Sequence, residues 1–156
     1  MMTLDAAAVQ QLMLRYADAI DADAIESWPD FFTPDGEYTV ISRDSLKRGH
    51  LIGVMQCCGQ GMMRDRVMGL RDANVYEPHC YRHVVSAPLL GEAGAEGVEA
   101  TASFLLARIM RAGVPELFLS GRYEDLVVAT PAGPRFRRRR VVLDSTAVDT
   151  LLVIPV

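Results

Sequence analysis

Apolar residues recur at Val9, Leu12, Met13, Tyr16 and Ile20, three and four positions apart. That is the stripe of an amphipathic helix, predicted over 6–20, and Thr3 or Asp5 stands where an N-cap is needed. A short second helix is expected over 24–28, with Asp21 and Asp23 placed to accept its free amides and Pro29 limiting its extension. Thr33-Pro34-Asp35-Gly36 has the composition of a turn, and 37–42 then alternates as a strand does. Glycines 49, 53, 59 and 61 break the next segment, but Met62, Met63, Arg66, Val67 and Leu70 restore helical spacing. One helix is therefore placed at 62–73.

From Tyr81 onward the period falls from 3.6 to 2. His83-Val84-Val85 opens the strand region, and a glycine-rich turn follows over 91–97. Long alternating runs cover 98–110 and 116–128. Pro131-Ala132-Gly133-Pro134 makes a hairpin turn before a last strand over 135–143. In the first long run Val98, Ala100, Ala102, Phe104 and Leu106 share one face, while Glu99, Thr101 and Ser103 take the other. No repeat or linker interrupts the pattern. The expectation is a single domain over 1–156, an α+β fold whose N-terminal helices close one face of a curved antiparallel sheet.

Composition changes this picture little. Of 156 residues, 50% are hydrophobic and 23% charged, which excludes disorder and collagen-like repeats. The net charge of −4 gives no general attraction to polyanions. Fifteen of the 16 basic residues are arginine, Lys47 being the exception, a bias that suits bidentate pairing with carboxylates. No stretch approaches the roughly 18 apolar residues that a membrane helix needs, and Met1-Met2-Thr3-Leu4-Asp5 lacks the basic-then-apolar order of an export signal. With Cys57, Cys58 and Cys80 as a sparse, odd set, a cytoplasmic protein in a reducing compartment is expected, with no membrane partner.

Candidate chemistry is sparse. His79 and His83 would share a face on a helix, but the surrounding sequence is extended, which sets the rings roughly 13 Å apart, too far for one metal. Neighbouring Cys57 and Cys58 would point apart, and neither a Rieske centre nor an iron triad can be assembled. No metal or other cofactor is expected on this chain. Arg137-Arg138-Arg139-Arg140 resembles a nucleic-acid patch, yet it lies in a strand pattern. Alternation would send two guanidiniums to the covered side, where Asp18, Glu37, Glu124 or Asp125 could pair with them. Ion pairing, within the chain or to another subunit, is favoured over nucleic acid. A last constellation, Tyr16, Asp18, Tyr38 and His83, could perform proton transfer in a pocket between helices and sheet, or could be buried polar groups satisfying one another.

Five segments, in order and over nearly the whole chain, resemble the small (β) subunit of aromatic-ring-hydroxylating dioxygenases. They are Ile25-Glu26-Ser27-Trp28-Pro29-Asp30-Phe31-Phe32; Met63-Arg64-Asp65-Arg66 with Leu70-Arg71-Asp72-Ala73-Asn74; Tyr81-Arg82-His83-Val84; Ser120-Gly121-Arg122-Tyr123-Glu124-Asp125; and Val142-Leu143-Asp144-Ser145-Thr146 through Leu151-Leu152-Val153-Ile154-Pro155. They look most like the small subunits of oxygenases acting on aromatic carboxylates, terephthalate dioxygenases among them. The resemblance implies a cone-shaped fold, the one shared by nuclear transport factor 2, scytalone dehydratase and ketosteroid isomerase. It also implies a homotrimer beneath three large (α) subunits, an α3β3 hexamer in which the large subunits carry the Rieske 2Fe–2S cluster and the non-haem iron. The chain itself would then hold no catalytic residue. Arg137, Arg138, Arg139, Arg140, Leu151, Leu152 and Ile154 become interface candidates. Two alternatives are a stand-alone dehydratase or isomerase using Asp18 and His83, with Tyr16 or Tyr38 orienting substrate, and a bare ligand-binding or dimerisation module.

Overall fold

Asp5 starts the first helix, α1 (Ala6–Asp21), by accepting the Ala8 amide on a side-chain oxygen at 2.8 Å. The computed structural model describes residues 3–50, 52–73, 76–146 and 152–156. The predicted stripe of α1, Val9, Leu12, Met13, Tyr16 and Ile20, is its buried face. The second helix is a 3-10 helix, Ile25–Phe31, which runs through Pro29 instead of stopping before it. No side chain caps it. The two aspartates expected to do so are engaged elsewhere, Asp21 with His83 and Asp23 with Arg71.

The first strand, β1 (Phe32–Ser42), contains the segment expected as a turn. The turn residues form an irregularity inside the strand, because 33–36 stand between two pairings with the last strand, Phe32 with Phe136 and Glu37 with Arg138. Two short elements follow that no periodicity revealed, α2 (Arg43–Lys47), capped by Ser42, and β2 (Met55–Cys58). Next comes α3 (Gln60–Asp72), close to the predicted helix. It begins at Gly59, whose φ of 85° suits glycine. The remainder is strand: β3 (Cys80–Val85), β4 (Leu89–Gly94), β5 (Gly97–Ile109), β6 (Pro115–Thr130) and β7 (Gly133–Leu143).

The sheet runs β2-β1-β7-β6-β5-β3, with β4 on the free part of β5. It is mixed, not antiparallel throughout: β1 lies parallel to β7 while the other pairs are antiparallel. The long excursion through α3 and the β3–β6 strands allows the chain to return beside β1 in the same direction. On the inner face lie α1, the 3-10 helix and the tail residues Leu152, Val153 and Val156, around Trp28, Tyr38, Phe104, Tyr123 and Phe136. At β6, Gly121 lets the neighbouring strand approach closely. A Cβ there would stand 2.2 Å from the Val142 carbonyl oxygen and 3.0 Å from a Phe104 ring carbon.

Segments that carry the family resemblance pair with one another in space. Arg64 of α3 donates to Asp30 of the 3-10 helix at 2.8 Å, and Arg71 donates to Glu26 at 2.6 Å and to Asp23 at 3.2 Å. The Arg71 hydrogen bond holds the Glu26 carboxyl below the usual carboxylate range.

Candidate functional site

The arginine run of β7 is sorted by a single bulge. Opposite β6, Leu126 faces Arg138 and Val127 faces Phe136, which leaves Arg137 as the extra residue. The parity flip brings Phe136, Arg139, Val141 and Leu143 all to the inner face. Only one guanidinium is therefore buried, where strict alternation predicts two. Directly across the ladder Asp125 faces Arg139, and Glu124 faces Arg140. Arg139 donates to both Asp125 oxygens, at 3.0 and 2.6 Å, and both side chains are 0% exposed. The guanidinium carbon also lies 3.9 Å from the Tyr123 ring centre, 4.0 Å from Phe136 and 4.3 Å from Tyr16. Burial raises the Asp125 carboxyl and Arg139 offsets part of that rise. Burial also works against the charge on Arg139, but the Asp125 carboxylate outweighs it and holds the guanidinium protonated.

The other three arginines face outward and also find carboxylates of their own chain. Arg137 pairs with Asp35 at 3.2 Å, Arg138 with Glu99 at 3.0 Å and Arg140 with Glu124 at 3.3 Å. Glu124 and Asp125 were among the expected partners, while Asp35 and Glu99 take the places expected of Asp18 and Glu37. Arg139, sealed in the core, is no interface residue.

Beside Arg139 lies a second polar cluster, built from Tyr16, Trp28 and Tyr38. The Trp28 indole N–H donates to the Tyr16 hydroxyl at 3.1 Å. Tyr16 and Tyr38 both donate to the same main-chain oxygen of Val156, at 3.1 and 2.9 Å, and the Val156 amide donates back to Tyr38 at 2.9 Å. The tail expected at an interface is thus core in its described part. Leu152 is 2% exposed and Val156 is fully buried, Ile154 is half-buried against the core, and Leu151 lies outside the described residues. An apolar sequence serves a core or an interface equally well, and here the aromatic cluster claims it.

Burial, the largest cause in each case, raises Tyr16 to about 12 and lifts Tyr38, Tyr81 and Tyr123 above their ordinary value. A phenol raised in the fold stabilises it fully below the ordinary value of 10.0, and that contribution is lost as pH rises through the shifted value of about 12. Four of the five tyrosines should therefore stay protonated until the chain unfolds. In a pH titration, phenolate absorbance should appear together with the loss of circular dichroism, in one step above pH 10. Gradual ionisation of most tyrosines in a protein that keeps its native dichroism would contradict this.

His83 is held by Asp21 and not by Asp18, which lies one turn earlier on the exposed side of α1. The Asp21 carboxylate takes the His83 ring Nδ1 at 2.6 Å and the His83 amide at 2.9 Å, fastening the end of α1 to β3. The His83 ring is 0% exposed and its Nε2 has no hydrogen-bond partner, so the nitrogen a general base would use faces packed protein. Tyr16 and Tyr38 meet the tail, not His83. The proposed constellation of Tyr16, Asp18, Tyr38 and His83 is therefore two separate structures. His79 donates from its ring Nδ1 to the Glu77 carbonyl oxygen at 2.8 Å, and the Tyr81 ring touches both imidazoles, 5.3 Å from His79 and 6.2 Å from His83. The two histidines do not converge on a metal position.

The outer face of the sheet carries the remaining feature. Val84 and Leu105 face each other across β3 and β5, and Leu105 faces Ser120 on β6. Val84 is 63% exposed, Leu105 49% and Leu117 66%. An open groove runs here between α2 and the strands, lined by Leu46, Val84, Leu105 and Ser120. Two ion pairs border it, Arg43 with Asp144 and Arg122 with Glu124.

A SnoaL-like domain model matches residues 1–140. Among curated relatives, subunit beta 2 of the terminal oxygenase component of terephthalate 1,2-dioxygenase from a Comamonas species is 40% identical over 140 residues, 90% of this chain and 91% of that one. The anthranilate 1,2-dioxygenase small subunit of Burkholderia cepacia is 34% identical over 148 residues, 95% of this chain and 92% of that one. The chain belongs to the small-subunit family of aromatic-ring-hydroxylating dioxygenases. A crystal structure from Novosphingobium aromaticivorans DSM 12444, provisionally described as such a beta subunit, superposes with a TM-score of 0.88 at 29% identity, covering 96% of this chain and 95% of that chain. The beta subunit of benzoate 1,2-dioxygenase from Burkholderia mallei shares the fold, with a TM-score of 0.76 at 17% identity over 92% and 93% of the two chains. The fold of this small subunit is accordingly the SnoaL-like, nuclear-transport-factor-2-like cone, with helices on a curved open sheet.

Proposed function

We propose that this small subunit is the non-catalytic partner of a large oxygenase subunit that attacks an aromatic carboxylate, and that three copies form a ring through the outer sheet face. The large subunit supplies the Rieske cluster and the non-haem iron, giving an α3β3 assembly. The apolar patch of Val84, Leu105 and Leu117 carries the reading. A patch of this kind rimmed by polar residues marks an association site, and closed rings are the rule for homo-oligomers. The ion pairs at its border, Arg43–Asp144 and Arg122–Glu124, place both signs of charge at the rim, where a complementary surface of the next copy can meet them. Support for the substrate class comes from the relatives, since terephthalate and anthranilate are both aromatic carboxylates. Three cysteines without a disulfide, Cys58 and Cys80 exposed, fit a reducing cytoplasm.

The test is a charge placed in the patch. Wild type should sediment as a trimer alone and as a 3:3 complex with the large subunit. The double variant Val84→Asp, Leu105→Asp should sediment as a monomer that keeps its native circular dichroism, because within the single chain the two side chains are 63% and 49% exposed. It should also fail to support turnover by the large subunit. A variant that remains trimeric, or a wild type that is monomeric at micromolar concentration, would overturn the proposal.

A further inference from the structure

Two arginines that answer no carboxylate border one groove on the helix side of the chain. The groove lies between α1, the 3-10 helix and the turn that joins β6 to β7, a cavity of about 400 Å³ lined by Leu12, Arg15, Phe31, Pro134 and Arg135 among others. Elsewhere this chain matches its surface arginines with its own acids, as at Arg43, Arg64, Arg71, Arg137 and Arg138. Arg15 makes no ion pair or hydrogen bond among the described residues, and Arg135 donates only to the Pro134 carbonyl beside it, at 2.8 Å. Asp30, the one acid among the described residues that line the groove, is committed to Arg64 at 2.8 Å. Two unmatched positive charges therefore stand over an apolar floor. That floor is closed: Leu12 is buried, Phe31 stands edge-on to Tyr16 at 5.6 Å, and Tyr16 stands edge-on to Phe136 at 5.6 Å. These side chains separate the groove from the interior of the cone.

We propose that this groove is a binding site for a small aromatic carboxylate, held by Arg15 from α1 and Arg135 from β7. The negative charge follows from the two guanidiniums, each a planar fork that suits a carboxylate. Two cations on one cavity repel each other, and an anion between them relieves the repulsion. The ring follows from the floor, where Phe31, Pro134 and Leu12 offer flat apolar surface. The size follows from the volume, near the lower end of the range of about 300–1,000 Å³ for small-molecule sites. An inorganic anion would satisfy the arginines and leave the floor wet. A neutral ring would cover the floor and leave both charges unmatched. This ligand class rests on the groove alone, whatever compound the large subunit attacks. A bound carboxylate would also bridge α1 to the β6–β7 turn, and a ligand that binds only the native chain stabilises it.

The site lies within one chain, and α1 is on the inner side of the sheet, so binding can be measured whether or not copies assemble through the outer face. Benzoate, benzamide and acetate are titrated into the full-length protein, and binding is read from backbone amide NMR signals and from the melting temperature. Benzoate should move the signals of residues 8–15 and 132–135 saturably and raise the melting temperature. Benzamide lacks the charge and acetate lacks the ring, so each should bind at least about tenfold more weakly. Arg15→Gln and Arg135→Gln should each weaken benzoate about tenfold, since each removes one charge-assisted contact. Arg111→Gln removes another exposed arginine without an ion pair, outside the groove, and should leave benzoate binding unchanged. Circular dichroism establishes that each variant is folded. Wild type alone can sink the proposal, by giving no saturable shift up to about 20 mM benzoate, enough to saturate a site with a Kd of a few millimolar, or shifts centred away from the groove. Acetate or benzamide binding as tightly as benzoate overturns it too, as do natively folded Arg15→Gln and Arg135→Gln variants that bind benzoate like wild type.

Discussion

Replacing Asp125 with alanine is expected to lower the unfolding free energy by about 3–5 kcal/mol, the cost of leaving a buried charge without its partner. The Arg139 guanidinium would remain sealed among Tyr16, Tyr123 and Phe136, with no water to replace the carboxylate that now takes two of its donors. The companion double variant, Asp125→Leu with Arg139→Met, should recover most of that loss, because removing both charges also removes both desolvation penalties. Urea unfolding of wild type, Asp125→Leu, Arg139→Met and the double variant forms a complete cycle. A single-variant loss below about 1 kcal/mol, the range of an exposed pair, would mean that Arg139 escapes to solvent.

A single methyl group should do comparable damage at Gly121. In Gly121→Ala the new carbon would lie 2.2 Å from the Val142 carbonyl oxygen, which belongs to the backbone of β7 and cannot swing aside. Relief requires β6 and β7 to part where Tyr123 faces Val141 and Asp125 faces Arg139. A loss of about 3 kcal/mol is expected, at the upper end of ordinary overpacking, which for a chain of this size is a fall of roughly 6–12 °C in melting temperature. Calorimetry decides the matter: a midpoint within about 2 °C of wild type, less than 1 kcal/mol, would show that the strands accommodate the methyl without parting.

How legible these features were depends on the length of the pattern behind each. Five apolar positions over four turns specify α1 and its buried face. The runs of β5 and β6 are long enough for alternation to identify the inner side, as Phe104 and Leu106 illustrate. Five residues of α2 and four of β2 span too little of either period to register. The carboxylate that meets His83 was misplaced by one helical turn, since Asp18 and Asp21 differ only in where α1 crosses β3. The arginine run was half legible. Ion pairing follows from composition, but the bulge at Arg137 decides which guanidinium is buried, and nothing in four consecutive arginines marks a bulge. The seat around Tyr16 and Tyr38 was invisible because its third member, Val156, is an apolar residue contributing only backbone atoms.

The pairing of β1 with β7 has a consequence for the order of events during synthesis. Tyr38 lies beside Arg139, about a hundred positions further along the chain, so the first strand leaves the ribosome long before the strand that will cover its inner edge. Until then α1 has only part of a sheet to pack on, and the seat for Val156 stands open. Contacts this distant in sequence slow folding, and an uncovered strand edge invites pairing with a neighbouring nascent chain. The cone therefore closes only after β7 has been synthesised. Strain placed late in the chain, at Gly121 or Arg139, should lower the yield of soluble protein in the cell more than a comparable loss of stability confined to α1.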